Sequence, residues 1–507
     1  MKKSLLILGI IVIVCLIFFG IFNNVNSTAS SDQEDIYDVI LFWGQSNMVG
    51  TSSSVAENRY NPSDLDSVKN FSEITGIDQE ILKNNGANRD YVNIEQEANT
   101  VFEYMYNSNS LEEIKGSRTS LGEHLYFSAT DNNGYPTNLT LDSDSPTWGN
   151  LSVQRSNGIN MIPEFCKTYY KNTGHKVVAV FSAYGGQPID RLLPYNDPDN
   201  GASGNKYQYE AMKLKYQSAI QYMENNNLRI GRKIYVVFQG ESDVWGNTST
   251  ERYKDIFLRV HNNIKNDLGI QKGAICETSV TLGTETMAKV NQVHDAQEQL
   301  IAENDDIILG SSYSYDRYVP SESDYNNCNT KIAFDKSGNK LSYNVALQNA
   351  SYSVDYSGNT VHFTSAALSQ VGKEAAEAYS SIKSIEIGSL PTKTEYIQNY
   401  ENLDLTGAKL KINYNNINED EIEITSEMVK GFDNSKTGTQ TITVEYRGYK
   451  TEFNVVINAK EITKVVLKSI PSKTEYIQNY EEIDLTGGTI EITYNDETKE
   501  EIKIQKE

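Results

Sequence analysis

Short apolar runs alternate with longer amphipathic stretches along residues 39–379, and this pattern constrains the fold more than any other feature of the chain. The apolar runs have the length of strands buried on both faces, and they predict strands at 39–43, 177–181, 234–238, 274–278 and 307–310. The stretches between them carry apolar residues at helical spacing and predict helices at 158–170, 207–223, 253–264 and 287–302. Strands joined by right-handed helical crossovers form a parallel sheet, so we expect an α/β domain.

Residues 52–149 show no clear periodicity, and we interpret them as a long insertion over one edge of the sheet. After Ser384 the sequence changes to Thr, Ile, Tyr, Lys and Glu in frequent alternation. A two-residue period is typical of half-exposed antiparallel strands, so this part predicts a separate all-β region.

The β region contains a tandem repeat. The nine residues Lys-Thr-Glu-Tyr-Ile-Gln-Asn-Tyr-Glu at 393–401 recur unchanged at 473–481, and Asp-Leu-Thr-Gly at 404–407 recurs at 484–487. The first copy continues to Val456 whereas the second stops at Glu507, so we expect the given chain to end inside a domain. The copies resemble bacterial immunoglobulin-like repeats, which implies a spacer or a wall-proximal adhesive module.

The sharpest chemical signal is Gly-Gln-Ser-Asn-Met at 44–48, directly after the first predicted strand. Ligands of parallel α/β sheets bind beyond the carboxyl ends of the strands, and this turn displays Ser46 at that edge. Gly44 permits a tight turn, and the start of the following helix offers backbone N–H groups to a developing oxyanion. Helix capping is the other reading of such a serine, since Ser is a preferred N-cap residue.

Two further polar clusters follow predicted strands. Ser-Ala-Tyr-Gly-Gly-Gln-Pro at 182–188 contains paired glycines that allow close backbone approach to a bound group. Gln-Gly-Glu-Ser-Asp at 239–243 places one amide and two carboxylates at the same sheet edge. Each cluster by itself is typical of a turn or a solvated loop, but their convergence on one edge favours a site.

His362 is the predicted general base. It lies directly before 365–379, an alanine-rich stretch with helical periodicity, and at the start of that helix it could reach Ser46 across the sheet edge. The other histidines lie in the insertion, at a helix end and on two helices, and none has a comparable placement: His124, His175, His261 and His294.

These ordered blocks resemble the sialate O-acetylesterase domain family, also called carbohydrate esterase family 6, within the SGNH hydrolase superfamily. The family's Gly-Gln-Ser-Asn-Met block is matched in full at 44–48, and its Gln-Gly-Glu-Ser-Asp block at 239–243. Looser matches are the glycine pair at 185–186, Ile-Pro-Glu-Phe at 162–165 and His-Phe at 362–363. The resemblance covers roughly residues 36–379 and implies a three-layer, flavodoxin-like α/β sheet, followed here by all-β immunoglobulin-like domains.

The resemblance also implies a reaction. Ser46 would attack an acetyl carbonyl, His362 would carry its proton to the sugar oxygen, and water would clear the acetyl-enzyme. The oxyanion hole would use the backbone N–H groups of Ser46 and Gly186 and the side-chain amide of Gln239. No metal or organic cofactor is expected, and acetylated sialic acid, xylan and cell-wall polysaccharide are all candidate substrates.

The chain departs from the family pattern at the third triad position. The family places Asp three residues before its histidine, whereas this chain has Asn359. Asn359 itself, Asp355, Asp243 or Glu241 could orient the imidazole, and we prefer Glu241. The family also often has His where this chain has Phe238, before the glutamine block.

Asn359 also favours a second reading, a weakened domain that binds glycan as an adhesin on immunoglobulin-like stalks. Retention of Ser46, Gln239 and His362 together favours the enzyme. A lipase or peptidase is disfavoured, because the chain lacks the Gly-x-Ser-x-Gly elbow and an apolar acyl channel signature. The formal net charge of −23 disfavours nucleic acid as a partner.

The N-terminus has a basic start and an apolar run over residues 5–22, which predicts an export signal that is either cleaved or kept as an anchor. We therefore expect a secreted or cell-surface protein, with cell-wall association through the repeats.

Outside the signal, Cys166, Cys276 and Cys328 form neither a disulfide framework nor a zinc pattern. The predicted domains are the signal at 1–30, the esterase at 36–382, a first immunoglobulin-like repeat at 385–459 and a truncated second at 463–507.

Overall fold

The computed structural model describes residues 35–49, 94–114, 125–130, 136–141, 160–201, 207–278, 287–316 and 365–506. The chain divides into two compact units, Met1–Ala378 and Tyr379–Glu507. The predicted domain boundaries stay predictions, and the predicted signal at 1–30 lies outside the described residues.

A seven-stranded sheet is the centre of the N-terminal unit. The strands of this unit are β1 (Ile36–Gly44), β2 (Val101–Met105), β3 (Ser110–Glu113), β4 (Leu125–Thr130), β5 (Pro136–Leu141), β6 (Lys176–Ala183), β7 (Arg229–Phe238), β8 (Lys272–Cys276) and β9 (Ile307–Ser311). The sheet order is β3-β2-β6-β1-β7-β8-β9, and every neighbouring pair is parallel except β2 with β3. Strands β4 and β5 form a separate antiparallel pair.

The five strands predicted from apolar runs are all present, and they form the sheet segment β6-β1-β7-β8-β9. Numbered along the chain, this segment has the order 2-1-3-4-5, which is the flavodoxin-like order. The predicted α/β fold is therefore confirmed. β1 lies at its centre, and Val39, Leu41 and Trp43 are completely buried there, which explains why the strand is a continuous apolar run.

The helices of this unit include all those that the sequence predicts, and the ends of these agree with the prediction to within four residues. They are α1 (Ser46–Val49), α2 (Ile162–Thr173), α3 (Gln208–Asn225), α4 (Glu241–Gly246), α5 (Thr250–Leu268), α6 (Met287–Glu303), α7 (Tyr313–Asp316) and α8 (Ser365–Ser380), with a 3-10 helix at Ile189–Leu192. Local signals set the ends of α5, because Ser249 caps its first turn through the N–H of Arg252 and Gly269 ends it in a left-handed conformation. None of the helices that the structure describes is long and apolar enough to span a membrane.

The interpretation of residues 52–149 as an insertion over the sheet edge needs a correction in its described part. Residues 101–113 lengthen the sheet itself, since β2 pairs in parallel with β6 and β3 pairs with β2. Neither strand is a continuous apolar run, because Glu103 interrupts β2 and β3 ends in two glutamates, and the sequence therefore did not predict them.

The C-terminal unit is rich in strands, as predicted. Its first repeat contains β10 (Ile382–Ser389), β11 (Glu395–Ile397), β12 (Lys409–Tyr414), β13 (Asp420–Glu423), β14 (Val429–Lys430), β15 (Gly438–Tyr446) and β16 (Tyr449–Asn458). They form two sheets, β10-β12-β13 and β11-β16-β15-β14. Apolar side chains of both sheets form one core that includes Leu410, Ile412, Ile442 and Val455. The second repeat contributes β17 (Ile462–Ser469), β18 (Thr489–Tyr494) and β19 (Lys499–Lys503), which form one sheet.

The nine repeated residues adopt the same local hydrogen bonds in both copies. The Tyr396 hydroxyl donates to the Lys393 carbonyl at 2.9 Å and accepts from the Asp404 N–H at 3.1 Å. The Tyr476 hydroxyl does the same with Lys473 and Asp484, at 2.9 Å in each case. Their surroundings differ, because Tyr396 is 1% exposed in the core of the first repeat whereas Tyr476 is only half-buried.

Candidate active site

The carboxyl ends of β1 and β7 lie at a switch point in the strand order. From β1 the chain runs to β6 on one side and later to β7 on the other, and such a switch point is where open α/β sheets bind ligands. The register pairs Gly44, the last residue of β1, with Ala183 on β6 and with Phe238 on β7. The three polar loops predicted from sequence therefore begin at the same level of the sheet.

Gly44 makes the turn that carries Ser46. Its φ is 145°, and a Cβ built on it would lie 2.1 Å from the carbonyl oxygen of Phe238. The strands can approach this closely only at a glycine, since any other residue would clash with the neighbouring backbone. Two hydrogen bonds hold the turn, from the N–H of Gln45 to Phe238 O and from the N–H of Tyr184 to Gly44 O, both at 3.0 Å. Ser46 follows as the first residue of α1 and is largely buried.

Glu241 lies completely buried beside this turn, at the start of α4. Its carboxylate accepts hydrogen bonds from the side-chain amides of Gln45 at 2.5 Å and Asn47 at 2.8 Å, the two residues that flank Ser46. The Gln45 side chain in turn accepts the backbone N–H of Ser242 at 3.2 Å. The preferred orienting acid thus binds the turn that carries Ser46, and its predicted contact with His362 stays a prediction.

Gln239, the predicted side-chain donor of the oxyanion hole, lies in a buried polar network. Its amide nitrogen donates to the carbonyl of Gln187 at 3.0 Å and to the Asp243 carboxylate at 2.5 Å. Its amide oxygen accepts the hydroxyl of Tyr253 at 2.7 Å, and Gln297 donates to its backbone carbonyl at 2.9 Å. An oxyanion would have to take the place of Gln187 or Asp243 as the acceptor of this amide.

Asp243 joins the loops that follow β6 and β7. One carboxylate oxygen accepts the Gln239 amide and the backbone N–H of Ile189 at 2.9 Å, and the other accepts the hydroxyl of Thr248 at 3.1 Å. Burial raises the pKa of Asp243 to about 7, although these hydrogen bonds act in the opposite direction. The group therefore titrates close to neutral pH.

Gly186, the predicted second backbone donor, lies in the loop after β6 with a φ of 68°. Glycine adopts this left-handed conformation without steric cost. The neighbouring residues connect it to the network, because Gln187 donates to the carbonyl of Gly185 and accepts from Gln239. The loop is thus tied to the same edge of the sheet as Ser46.

The structure does not place every predicted residue. His362, Asn359 and Asp355 lie outside the described residues, and α8 begins at Ser365, three positions after His362. The described histidines pair elsewhere: His175 with Asp38, His261 with Tyr235, and His294 with Glu277.

Sequence reasoning missed the partners of the buried network. Gln45 and Asn47 belong to the block around Ser46, but nothing in their spacing predicts that they bind Glu241. Tyr253 and Gln297 lie on α5 and α6, where a polar residue at a helix position is usually solvated, and no sequence signal distinguished them.

In the described part of the chain, Glu277, His294 and Glu298 are a group of ligand-type side chains within 4.8 Å of one another. The carboxylates of Glu277 and Glu298 lie nearest to different ring nitrogens of His294, at 3.3 and 3.8 Å. The ring also stacks on Tyr315. The two carboxylates therefore do not converge on one ring nitrogen, as the ligands of a single metal ion bound by this imidazole would.

Residues 135–314 match the family model described as carbohydrate esterase, sialic acid-specific acetylesterase. The match supports a carbohydrate esterase, the class that the sequence motifs predicted. The esterase match includes Gly186, Gln239, Glu241 and Asp243, while Ser46 and His362 lie on either side of it. Residues 390–456 match the bacterial Ig-like domain (group 3), which confirms the predicted nature of the first repeat.

Individual relatives are more distant. Pectate lyase L of Thermoclostridium stercorarium is 34% identical over 108 residues, which cover 21% of this chain and 9% of that protein. The chain therefore spans about a tenth of the length of that curated relative.

Three solved structures are similar at low identity. A protein from Arabidopsis thaliana is 14% identical, with 67% of this chain and 96% of that chain covered and a TM-score of 0.35. A carbohydrate acetylesterase from Xanthomonas citri is 10% identical, with 83% and 72% covered and a TM-score of 0.31. NanS is 11% identical, with 68% and 97% covered and a TM-score of 0.32. These TM-scores are too low for any residue role to be carried over.

Proposed function

We propose that the chain is a secreted serine esterase that removes O-acetyl groups from carbohydrate, with Ser46 as the nucleophile and His362 as its base. The observation that carries the proposal is the position of Ser46. It stands on a glycine turn at the switch point of the sheet, and its neighbours Gln45 and Asn47 both bind Glu241. The esterase family match of residues 135–314 supports the same reaction class.

The proposed reaction is a double displacement. The Ser46 hydroxyl attacks the acetyl carbonyl while His362 takes its proton, and the tetrahedral intermediate collapses when His362 protonates the departing sugar oxygen. Water then attacks the acetyl-serine with His362 as base again, and acetate leaves. Backbone N–H groups of Ser46 and Gly186 and the amide of Gln239 are the proposed oxyanion donors, and no cofactor takes part.

The proposed substrate is an acetylated carbohydrate, with sialic acid, xylan and wall polysaccharide as the candidates. The Ig-like domain at 390–456 suits a protein that works outside the cell or on its surface. We extend this to association of the repeats with the cell wall.

Hydrolysis of an aryl acetate and of several acetylated glycans by the full chain tests the proposal, beside Ser46→Ala and His362→Ala. We expect both variants to lose at least about 10³-fold in kcat, because each removes a member of the nucleophile pair. Ser242→Ala is the matched comparison, since the Ser242 hydroxyl is buried in the same region without a hydrogen-bond partner among the described residues.

Three outcomes would contradict the proposal. Equal rates in the wild type, Ser46→Ala and His362→Ala would exclude this nucleophile and base. Loss of activity in Ser242→Ala with retention in Ser46→Ala would move the nucleophile to α4. Glycan binding by the wild type without any hydrolysis would instead support the adhesin-like reading.

A further inference from the structure

We propose that Glu241 is a positioning residue whose carboxylate clamps both neighbours of Ser46 and so fixes where the nucleophile stands. The inference rests on the proposed function, because it assigns a role in placing Ser46. It differs from the expectation that Glu241 orients the imidazole of His362. The contacts of the buried carboxylate carry it.

The two hydrogen bonds reach across the fold. Gln45 and Asn47 lie 196 and 194 positions from Glu241 along the chain, yet each amide donates to a different oxygen of its carboxylate. Ser46 is held between them, and its turn is anchored on the other side by the backbone bond from Gln45 to Phe238. With both flanking side chains tied to one rigid group, the Ser46 backbone has little freedom to move.

The chemistry of the clamp requires a carboxylate. An ionised carboxyl group only accepts hydrogen bonds, and both partners present N–H donors to it. An amide of the same shape has one acceptor and one donor end, so one partner would meet an N–H group in place of an oxygen. Hydrogen bonds to a charged acceptor are also about twice as strong as neutral ones.

Placement of the nucleophile matters because acyl transfer needs the reacting atoms in a near-attack geometry. A displacement of about 1 Å can cost roughly 100-fold in rate. A loosened turn should therefore lower kcat while substrate binding, and hence KM, changes little.

The test is a donor and acceptor exchange in the full chain. Glu241→Gln should lower kcat by about 100-fold with KM within about threefold, because one flanking amide loses its acceptor. Asn47→Asp alone should lose a similar factor, since two carboxylates would then face each other. The double variant Glu241→Gln/Asn47→Asp restores one donor for each acceptor, and its kcat should recover to within about tenfold of the wild type. Glu251→Gln, the same change at an exposed residue of α5, is the control and should retain full activity.

The outcomes separate this inference from the proposed function. If Ser46→Ala is inactive but Glu241→Gln has wild-type kcat, the clamp is excluded while the esterase stands. If the double variant is as slow as Glu241→Gln although its tryptophan fluorescence and circular dichroism match the wild type, Glu241 does not act through Asn47, and the orienting role for His362 takes its place. If Ser46→Ala is fully active, the proposed function itself fails.

Discussion

The side-chain amide of Gln239 donates a 2.5 Å hydrogen bond to the carboxylate of Asp243, and both side chains are 1% exposed. Asp243 also accepts the backbone N–H of Ile189, so a single buried carboxylate joins the loops after β6 and β7, the two strands on either side of β1. The charge state of Asp243 therefore affects the hydrogen bonds that it accepts from both loops.

Asp243 should make the N-terminal unit less stable as the pH rises toward neutral. Burial raises its pKa to about 7 from 3.8, so the folded state binds more protons than the unfolded state between these values. The stability that this group contributes is complete below about pH 4 and is lost as the pH rises through about 7. Urea unfolding followed by tryptophan fluorescence measures it, because Trp43 and Trp245 lie in the N-terminal unit and the C-terminal unit has no tryptophan in its sequence.

Asp243→Asn is the control for this effect. Its neutral amide has the shape of the protonated acid, with an oxygen for Gln239 and Ile189 and a donor for Thr248. As the pH rises from 5 to 8, the unfolding free energy of the wild type should therefore fall relative to that of Asp243→Asn. A difference that stays constant across this range would show that Asp243 does not titrate there.

Asp38 should contribute strongly to stability at the end of the sheet opposite to Ser46. It is completely buried and accepts hydrogen bonds from the backbone and guanidinium of Arg232, at 2.7 and 3.0 Å, and from the Tyr169 hydroxyl at 2.8 Å. Asp38→Ala leaves the buried Arg232 charge without this carboxylate and should cost about 3–5 kcal/mol of unfolding free energy. Asp35→Ala is the matched control, because Asp35 pairs with Lys176 in an exposed position and should cost at most about 1 kcal/mol.

The contribution of Asp38 should also disappear in acid. Burial acts to raise its pKa, but the hydrogen bond from His175 and the charges of His175 and Arg232 outweigh it, so the pKa is lowered overall. A lowered pKa means that the stabilisation is present above the unfolded-state pKa and is lost as the pH falls through the folded-state value. Urea titrations of wild type and Asp38→Ala should therefore converge at low pH, and curves that diverge there would contradict the ion-pair account.

Gly44→Ala should damage both the fold and the site. The positive φ and the 2.1 Å approach of a Cβ to Phe238 O require the two central strands to separate, which should cost about 2 kcal/mol or more. Gly246→Ala is the control, since its Cβ would meet no atom nearer than 3.6 Å. Urea unfolding and esterase assays of the two variants measure the effect, and equal stability would show that the turn can relax.

The two copies of the repeat allow a matched test in the C-terminal unit. Tyr396→Ala removes a side chain that is 1% exposed in the core and should cost about 3–5 kcal/mol, whereas Tyr476→Ala removes a half-buried one and should cost less. Hydrogen exchange of the full chain reports this locally, through the amides of β15 and β16 for the first copy and of β18 for the second. Equal loss of protection in both copies would mean that the hydrogen bonds of the tyrosine, and not its burial, hold the repeat.

Local patterns in the sequence were sufficient to predict most strands and helices of the α/β unit. Apolar runs predicted β1, β6, β7, β8 and β9 because strands buried on both faces need no polar positions. The turn at Ser46 was also predictable, because a glycine directly after an apolar strand, here Gly44, marks a tight turn. The strands β2 and β3 were not, because glutamates interrupt both of them and neither is a continuous apolar run.

The amino-acid sequence by itself determined the elements and their local bonds, as the repeated nine residues demonstrate by making the same hydrogen bonds around Tyr396 and Tyr476. Such bonds join atoms a few residues apart, so they form wherever the same residues occur. Only the tertiary structure decided that Glu241 faces Gln45 and Asn47, because the order of strands in the sheet places β7 beside β1. The same holds for burial, since Tyr396 becomes a core residue through the strands that pack on it and not through its own sequence.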